Sequence, residues 1–261
     1  MSVCCWRGTS AYDERMSIPA PGLPVPERVR VLARGAAVTP LWQNALDIGG
    51  IAGVTFATDD GRVIKYGPRH EETSMAAEAE RLSWATRYTS VPAVLEQRQT
   101  DADEWLVTAA IAGLSAVAPR WIADPARAVN AVGRGLRLFH DALPVEGCPF
   151  DWSVPSRIEN AARRGVTVPR ELRHPPEVDV LVVAHGDACV PNTLLDAGGA
   201  PLAHVDLGAL GVADRWADIA VASMSTEWNY GPGFDDALIA AYGVAPDRER
   251  LAYYRALWNA T

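Results

Sequence analysis

The hydrophobic pattern of the first half of the chain predicts an antiparallel sheet. Residues 47–58 have the pattern of two strands joined through glycines, and apolar residues alternate with polar ones over 62–66. Between these runs, the sequence Asp-Asp-Gly at 59–61 is typical of a hairpin turn. Short apolar runs at 92–95 and 105–108 predict two further strands.

The second half of the chain is dominated by helical periodicity. The longest predicted helix covers residues 125–143, where apolar side chains recur at helical spacing. Shorter helices are predicted at 156–164 and 213–223. In the first half of the chain, helices are predicted at 27–34 and 71–88.

These patterns predict an α+β protein with two lobes. Residues 24–109 form an N-terminal lobe built on an antiparallel sheet with one helix, and residues 110–261 form a mainly helical C-terminal lobe. Four prolines between positions 19 and 26 interrupt regular structure, so residues 1–23 are predicted to be a disordered tail. Both Met1 and Met16 are candidate starts of the natural protein.

Candidate chemistry is concentrated just after the middle of the C-terminal lobe. The apolar run at 180–184 predicts a buried strand that leads into a polar loop. In that loop Asp187 and Asn192 are five positions apart. This is the spacing of the proton-accepting Asp and the metal-binding Asn in a kinase catalytic loop.

The residues that follow strengthen this interpretation. Residues 193–205 predict a hairpin, and its far end returns Asp206 to the neighbourhood of Asn192. Carboxylate and amide oxygens are ligands that Mg²⁺ accepts in proteins. An isolated Asp-x4-Asn spacing is common by chance, whereas a strand, a loop, a hairpin and a second Asp in this order are not.

The sequence of this region closely resembles the aminoglycoside O-phosphotransferases. The resemblance is carried by the runs HGDACVPN at 185–192, VDLG at 205–208 and LGVADRWADIA at 210–220. The 3'-type enzymes, which are kanamycin and neomycin kinases, are the most similar, and the streptomycin 3''-kinases are close behind. The close match covers roughly the last third of the chain.

The resemblance implies a protein-kinase-like fold, in which the first lobe binds the nucleotide and the second carries the catalytic-loop hairpin. It also implies transfer of the γ-phosphate of ATP to a hydroxyl group of an aminoglycoside, which confers antibiotic resistance, with Mg²⁺ as the cofactor. In that reaction Asp187 is catalytic, because it accepts the proton of the attacking hydroxyl. Asn192 and Asp206 bind the metal.

A lysine in the N-terminal lobe is expected to contact the nucleotide. Lys65 lies within the apolar alternation of 62–66, where a partly buried ammonium group needs a partner. Family members carry a similar lysine followed by Glu-x2-Arg-Leu-Ser-Trp, which begins here at Glu78. The resemblance implies that Lys65 contacts the nucleotide phosphates and that Glu78 holds it. The alternative is a surface ion pair, for which Glu80 competes.

Two backbone segments complete the expected nucleotide site. Gly49 and Gly50 lie where a kinase folds a loop over the phosphates, and glycine lets backbone N–H groups approach phosphate oxygens closely. At the predicted hinge between the lobes, the resemblance implies that main-chain atoms of Ala109 and Ile111 bind the adenine edge.

The sequence identifies fewer candidate residues for the acceptor site than for the nucleotide site. A polycationic acceptor needs acidic groups near Asp187, and the candidates are Asp151, Glu227 and the terminal carboxylate at Thr261. Relatives of the 3'-type have a longer acidic insert, an acidic tail, and an Arg where this chain has Ala209. We therefore expect a narrower or weaker range of aminoglycoside acceptors.

Two further residues are expected to support the catalytic loop. Asp218 follows the loop on a predicted helix and is expected to bind the loop backbone. His140 closes the long helix at 125–143 and is expected to pack beneath the loop.

Composition and charge restrict the partners and the compartment. A net charge of -8 and a pI of about 5.2 argue against nucleic acid as a partner. The chain has no apolar run near 18 residues, which argues against a membrane span. Four cysteines without zinc spacing, and an N-terminal segment without the apolar part of a signal peptide, favour a cytoplasmic protein. A monomer or homodimer is expected.

Other functions remain as alternatives. The acceptor could be streptomycin or another small hydroxylated metabolite, or the chain could be a non-catalytic nucleotide-binding pseudokinase. The intact set of Lys65, Asp187, Asn192 and Asp206 weighs against a pseudokinase. A metal-dependent hydrolase would need converging histidines, and none of the five has His-x3-His spacing. The absence of a Gly-x4-Gly-Lys-Ser/Thr motif disfavours a P-loop NTPase.

Overall fold

The computed structural model describes residues 16–17, 22–44, 53–69 and 74–261. Gly49 and Gly50 lie outside the described residues, as does most of the tail predicted at 1–23. The chain divides into two compact units. The first contains Met1–Ser83 and Pro92–Ile111, and the second contains Trp84–Val91 and Ala112–Thr261.

The first unit is built on a six-stranded sheet in the order β1-β2-β3-β4-β6-β5, in which every pair is antiparallel. The strands are β1 (Met16–Ser17), β2 (Val38–Asn44), β3 (Gly53–Thr58), β4 (Arg62–Pro68), β5 (Val94–Gln99) and β6 (Asp103–Ala109). The helices are α1 (Glu27–Ala33) and α2 (Met75–Ala85). The antiparallel sheet predicted from the alternating pattern is therefore confirmed.

Alternation along β3 and β4 places apolar side chains on one face of this sheet. Phe56 and Ile64 are fully buried there and pack with Val29 of α1 and Val107 of β6. Lys65 follows Ile64, so it projects from the opposite face of β4. Leu106, its partner on β6, is buried on the same face, so the ammonium group of Lys65 needs a partner there.

The second unit contains two small sheets and six helices among its described residues. One sheet has the order β10-β9-β7 and the other pairs β11 with β8. The strands are β7 (Leu114–Ser115), β8 (Leu181–Ala184), β9 (Thr193–Leu195), β10 (Pro201–His204) and β11 (Gly211–Asp214). The helices are α3 (Pro119–Ile122), α4 (Pro125–Ala142), α5 (Val154–Arg163), α6 (Trp216–Tyr230), α7 (Asp235–Tyr242) and α8 (Arg248–Ala260).

The helix predicted at 213–223 is wrong at both ends. Residues 211–214 form β11, which pairs antiparallel with β8 and so satisfies the backbone of a strand that would otherwise have no partner. The chain turns where the Asp214 carboxylate accepts a hydrogen bond from the Trp216 N–H, at 2.9 Å. The helix then continues to Tyr230 and ends before Gly231, whose positive φ of 94° suits glycine.

Helices α4, α6 and α7 form the core of the second unit. Nearly every residue of α6 from 216 to 226 is buried, which explains why its sequence shows no clear amphipathic stripe. None of the described helices is both long enough and apolar enough to cross a lipid bilayer. Helix α4 approaches α7 at Gly133, where an added Cβ would lie 2.6 Å from the Leu238 carbonyl oxygen.

The close approach of α4 to α7 predicts that Gly133→Ala destabilises the protein. The added methyl group must push two helices apart, at a cost of ~1–3 kcal/mol that outweighs the ~1 kcal/mol gained in helix propensity. Thermal unfolding should therefore show a lower Tm for the variant. Asn130→Ala is the matched control, because Asn130 is exposed on the same helix. A Tm for Gly133→Ala at or above that of Asn130→Ala would contradict this account.

Candidate active site

A buried carboxylate on α6 fixes the loop that carries the predicted catalytic residue. Asp218 is fully buried, and its carboxylate accepts hydrogen bonds from the His185 N–H at 2.6 Å and the Gly186 N–H at 2.9 Å. The expectation that Asp218 binds the backbone of this loop is confirmed. Burial raises the pKa of Asp218, but its hydrogen bonds, above all that from His140, outweigh this effect and hold the pKa below the ordinary value.

His140 does more than pack beneath the loop. Its Nε2 lies 2.9 Å from the Asp218 carboxylate and its Nδ1 lies 2.8 Å from the Tyr242 hydroxyl. The chain Tyr242–His140–Asp218 therefore connects α7, α4 and α6 to the loop. Sequence reasoning missed the hydrogen bonds of His140 and Tyr242. The sequence feature that could have indicated these hydrogen bonds is a histidine at the apolar end of a long predicted helix.

His185 joins the loop to the segment that contains Asp206. Its Nε2 donates to the Val205 carbonyl at 3.0 Å, and its Nδ1 accepts from the Asp187 N–H at 3.3 Å. These two bonds require a neutral ring with its proton on Nε2. Gly186, with a φ of 82°, allows the close approach of the Ala209 carbonyl, which a Cβ at this position would obstruct.

The two oxygens of the Asp187 carboxylate differ, because one accepts a hydrogen bond and the other has no partner among the described residues. The Asn192 amide nitrogen donates to the Asp187 carbonyl at 3.0 Å and to its Oδ2 at 3.2 Å. Oδ1 of Asp187 is buried and has no hydrogen-bond partner in the described part of the chain. Burial, together with the nearby charge of Asp206, raises the pKa of Asp187 above its ordinary value.

The predicted hairpin is confirmed, and it brings Asn192 and Asp206 together. Strands β9 and β10 pair antiparallel, and beyond the last pair the Val205 N–H donates to the Asn192 carbonyl at 3.0 Å. Asp206 follows with a φ of 65°. Within the described ranges, Arg34 is the one other non-glycine residue with a positive φ. Such a conformation costs energy and is concentrated at functional sites.

The donor set at the base of this hairpin fits Mg²⁺. The amide nitrogen of Asn192 is used for Asp187, so its oxygen is left for a ligand, and Asp206 adds a carboxylate. No cluster of three or more His, Cys, Asp or Glu residues with metal-binding geometry occurs among the described residues. One carboxylate and one amide suit an ion that completes its shell with water and substrate phosphates, as Mg²⁺ does.

Lys65 pairs with Glu78 in the first unit. The ammonium nitrogen lies 2.7 and 2.9 Å from the two carboxylate oxygens of Glu78, and Glu78 is buried. Glu80, the competing residue, is exposed. Lys65 is also the only lysine in the sequence. The pairing predicted from sequence is present, and its role toward a nucleotide stays a prediction.

The segment expected to bind adenine has one N–H in use and one that is not. The Ala109 N–H donates to the Ala93 carbonyl at 2.9 Å. The Ile111 N–H has no acceptor within the described residues. The expected binding of adenine by main-chain atoms of Ala109 and Ile111 stays a prediction. Gly49 and Gly50 lie outside the described residues.

The three predicted acceptor residues have different surroundings. Asp151 is exposed and accepts hydrogen bonds from the N–H and hydroxyl groups of Ser153 at 2.8 and 3.1 Å. Glu227 is exposed near the end of α6. A main-chain oxygen of Thr261 accepts from Arg164, and its hydroxyl accepts from Arg157 at 2.9 Å. Thr261 is thus already bound by two guanidinium groups, and all three roles stay predictions.

Comparison with known proteins places this site in context. Residues 49–254 match the phosphotransferase enzyme family. An aminoglycoside 3'-phosphotransferase of Streptomyces fradiae is 37% identical over 225 residues, covering 74% of this chain and 83% of that protein. A streptomycin 3''-kinase of Streptomyces griseus is 34% identical over 269 residues, covering 90% of this chain and 95% of that protein.

A solved structure agrees with these matches. The aminoglycoside phosphotransferase APH(3'')-Id from Streptomyces rimosus superposes with a TM-score of 0.68 at 28% identity, covering 89% of this chain and 95% of that one. Its complex with ADP and streptomycin superposes with a TM-score of 0.63. The resemblance and the fold class expected from the sequence are confirmed.

The geometry around Asp218 predicts that Asp218→Asn destabilises the protein at neutral pH. An amide presents one acceptor oxygen where the carboxylate presents two, so a buried N–H loses its partner at a cost of ~1–3 kcal/mol. Because the folded pKa of Asp218 lies below its ordinary value, this stabilisation is present above pH 3.8 and is lost as the pH falls through the folded pKa. The Tm difference between wild type and variant should therefore be large at pH 7 and shrink in acid.

Asp236→Asn provides the control for Asp218→Asn. Asp236 forms an exposed ion pair with Arg248, and such pairs contribute little to stability. Equal Tm values for the two variants at pH 7 would show that the Asp218 carboxylate does not hold the loop.

Proposed function

This chain belongs to the phosphotransferase enzyme family, and on that premise we propose that it transfers the γ-phosphate of ATP to a hydroxyl group of an aminoglycoside antibiotic. The observation that carries this proposal is the arrangement of Asp187, Asn192 and Asp206 around one hairpin. Among the acceptor types we favour the 3'-type, because the aminoglycoside 3'-phosphotransferase of Streptomyces fradiae is 37% identical in sequence to this chain. Phosphorylation of the drug confers resistance.

Asp187 acts as the general base. The acceptor hydroxyl donates its hydrogen bond to Oδ1 of Asp187, which has no hydrogen-bond partner among the residues that the structure describes. As the hydroxyl oxygen bonds to the γ-phosphorus, the bond from that phosphorus to the β,γ-bridging oxygen breaks and ADP leaves. The hydroxyl proton passes to Oδ1 in the same event.

The remaining residues hold the phosphates and the ion. The Asn192 amide oxygen and the Asp206 carboxylate would hold Mg²⁺, and the bound ion would supply neutralisation of the charge on the phosphate groups. The Lys65 ammonium group, oriented by Glu78, binds the phosphates of the nucleotide. Main-chain atoms of Ala109 and Ile111 bind adenine. The acceptor's ammonium groups are bound by Asp151 and Glu227, the two candidate carboxylates that are exposed.

Streptomycin is the second candidate acceptor. The streptomycin 3''-kinase of Streptomyces griseus aligns over more of this chain than the 3'-type relative does, 90% against 74%. The shortage of acidic residues noted in the sequence is also compatible with an acceptor that carries fewer amines than kanamycin or neomycin.

An ADP-release assay over an aminoglycoside panel tests the proposal. Kanamycin, neomycin and streptomycin are each added with ATP and Mg²⁺, and phosphorus NMR of the product identifies the modified hydroxyl. Release above background with at least one of them is expected. If ATP binds but no aminoglycoside stimulates release, the chain is a kinase of another metabolite or a non-catalytic nucleotide-binding protein.

Asp187→Asn should abolish most turnover without loss of the fold. The substitution removes the proton acceptor, so kcat should fall by ~10²–10⁴-fold. ADP affinity should be retained. The Tm without ligand should rise, because a buried charge with an unused oxygen and a carboxylate neighbour is removed. Asp141→Asn, which alters an exposed carboxylate on α4, is the control. Turnover within a few-fold of wild type would remove Asp187 from the mechanism.

Lys65→Ala should mainly raise the KM for ATP, by ~10-fold, because the lost contact is made in both the ground state and the transition state. Since Lys65 is the only lysine, an amine-reactive label gives a second measurement. Saturating ADP should slow labelling of Lys65 while labelling of the α-amino group, the internal control, is unchanged. If ADP does not protect Lys65 and the KM is unaltered, the pair with Glu78 is a structural ion pair only.

A further inference from the structure

A short segment lies against the hairpin that carries the two proposed metal ligands. We call residues 113–116 the strap. Within it, β7 pairs antiparallel with β9, and the Ala116 N–H donates to the Thr193 carbonyl at 2.9 Å. The strap therefore extends the hairpin by a third strand on the side of the arm that begins at Asn192.

The strap is closely packed against the hairpin, which restricts its movement. A Cβ added at Gly113 would lie 2.8 Å from the Leu202 side chain and 3.1 Å from the Leu195 carbonyl oxygen. At the other end, the Tyr230 hydroxyl donates to the Ala116 carbonyl at 2.7 Å. The strap is thus fixed to the hairpin through glycine and to α6 through a tyrosine.

One side chain of the strap reaches past the ladder to the turn beside Asn192. The Ser115 hydroxyl donates to the Pro191 carbonyl at 2.8 Å. The same peptide unit carries the Asn192 N–H, which donates to the Cys189 carbonyl at 2.9 Å. The peptide that leads into Asn192 is therefore held at both its oxygen and its nitrogen, and a tilt of its plane would move the Cα of Asn192 and with it the side chain.

We propose that Ser115 is a positioning residue for Asn192, and that its hydroxyl aims the Asn192 amide oxygen at the divalent ion. The inference rests on the proposed function only in taking Asn192 as an ion ligand. Without the Ser115 hydroxyl, the Pro191 carbonyl loses its recorded partner and the 191–192 peptide is free to tilt. Groups that orient a ligand in this way commonly change metal affinity by ~10–100-fold when they are removed.

Nucleotide binding in a Mg²⁺ titration tests this role without relying on turnover. The affinity for ADP is measured by calorimetry as Mg²⁺ is raised, for wild type, Ser115→Ala, Ser115→Thr and Asn192→Ala. Ser115→Ala should need ~10-fold more Mg²⁺ for half of the tightening. Ser115→Thr, which keeps the hydroxyl, should be close to wild type. ADP affinity without Mg²⁺ should be the same for all four proteins.

Tyr253→Phe is the matched control for loss of stability. It also removes a hydroxyl-to-carbonyl hydrogen bond, from Tyr253 to Leu172 at 2.7 Å, at a place with no recorded contact to the hairpin. Its Tm should fall to a similar extent while its Mg²⁺ requirement is unchanged. Gly113→Ala, which displaces the strap by another route, should raise the Mg²⁺ requirement as Ser115→Ala does.

The possible results distinguish a failure of the proposed role of Ser115 from a failure of the proposed ion site. If Asn192→Ala weakens the Mg²⁺ effect but Ser115→Ala changes only Tm, Ser115 is structural and the inference is overturned while the proposed ion site stands. If Mg²⁺ leaves the ADP affinity of the wild type unchanged, the ion site itself is wrong and the role of Ser115 falls with it.

Discussion

The second unit depends on one buried carboxylate that is fully satisfied. Asp218 accepts hydrogen bonds from two consecutive N–H groups of the catalytic loop and from His140. A charge in this position is tolerable only because three donors replace the water it has lost. These hydrogen bonds require α6, α4 and the end of β8 to lie next to one another. The same contacts fix the backbone of the loop and therefore the position of Asp187.

Asp187 and Asp218 show how environment assigns different roles to the same side chain. Asp218 is fully buried and Asp187 is partly buried, yet donors lower the pKa of Asp218, whereas burial and the charge of Asp206 raise that of Asp187. The difference is the number of donors aimed at each carboxylate. The Asp218 carboxylate fixes the loop backbone, whereas the Asp187 carboxylate keeps one oxygen that has no hydrogen-bond partner among the described residues.

Sequence reasoning was successful where the determinants are local. The hairpin from 193 to 204, its turn and the return of Asp206 to Asn192 depend on residues a few positions apart, and all were predicted. It predicted the contact of Asp218 with the loop backbone, 33 residues away, but missed two contacts that are more distant in the sequence. The contact of His140 with Asp218 spans 78 residues and that of Ser115 with Pro191 spans 76. The last two residues of β11 were assigned to a helix, because the four residues of this strand adopt their conformation only when β8 lies beside them.

The anchoring of the loop by α6 has a consequence for any shortened form of the chain. The β9–β10 hairpin closes over a few residues, so its own hydrogen bonds are local. The N–H groups of His185 and Gly186, in contrast, donate to Asp218, which lies more than 30 residues downstream. A fragment that ends before α6 would retain the sequence of the hairpin but would lack the acceptor for these two N–H groups. The backbone around Asp187 is therefore fixed by the C-terminal part of the chain and not by its own local sequence.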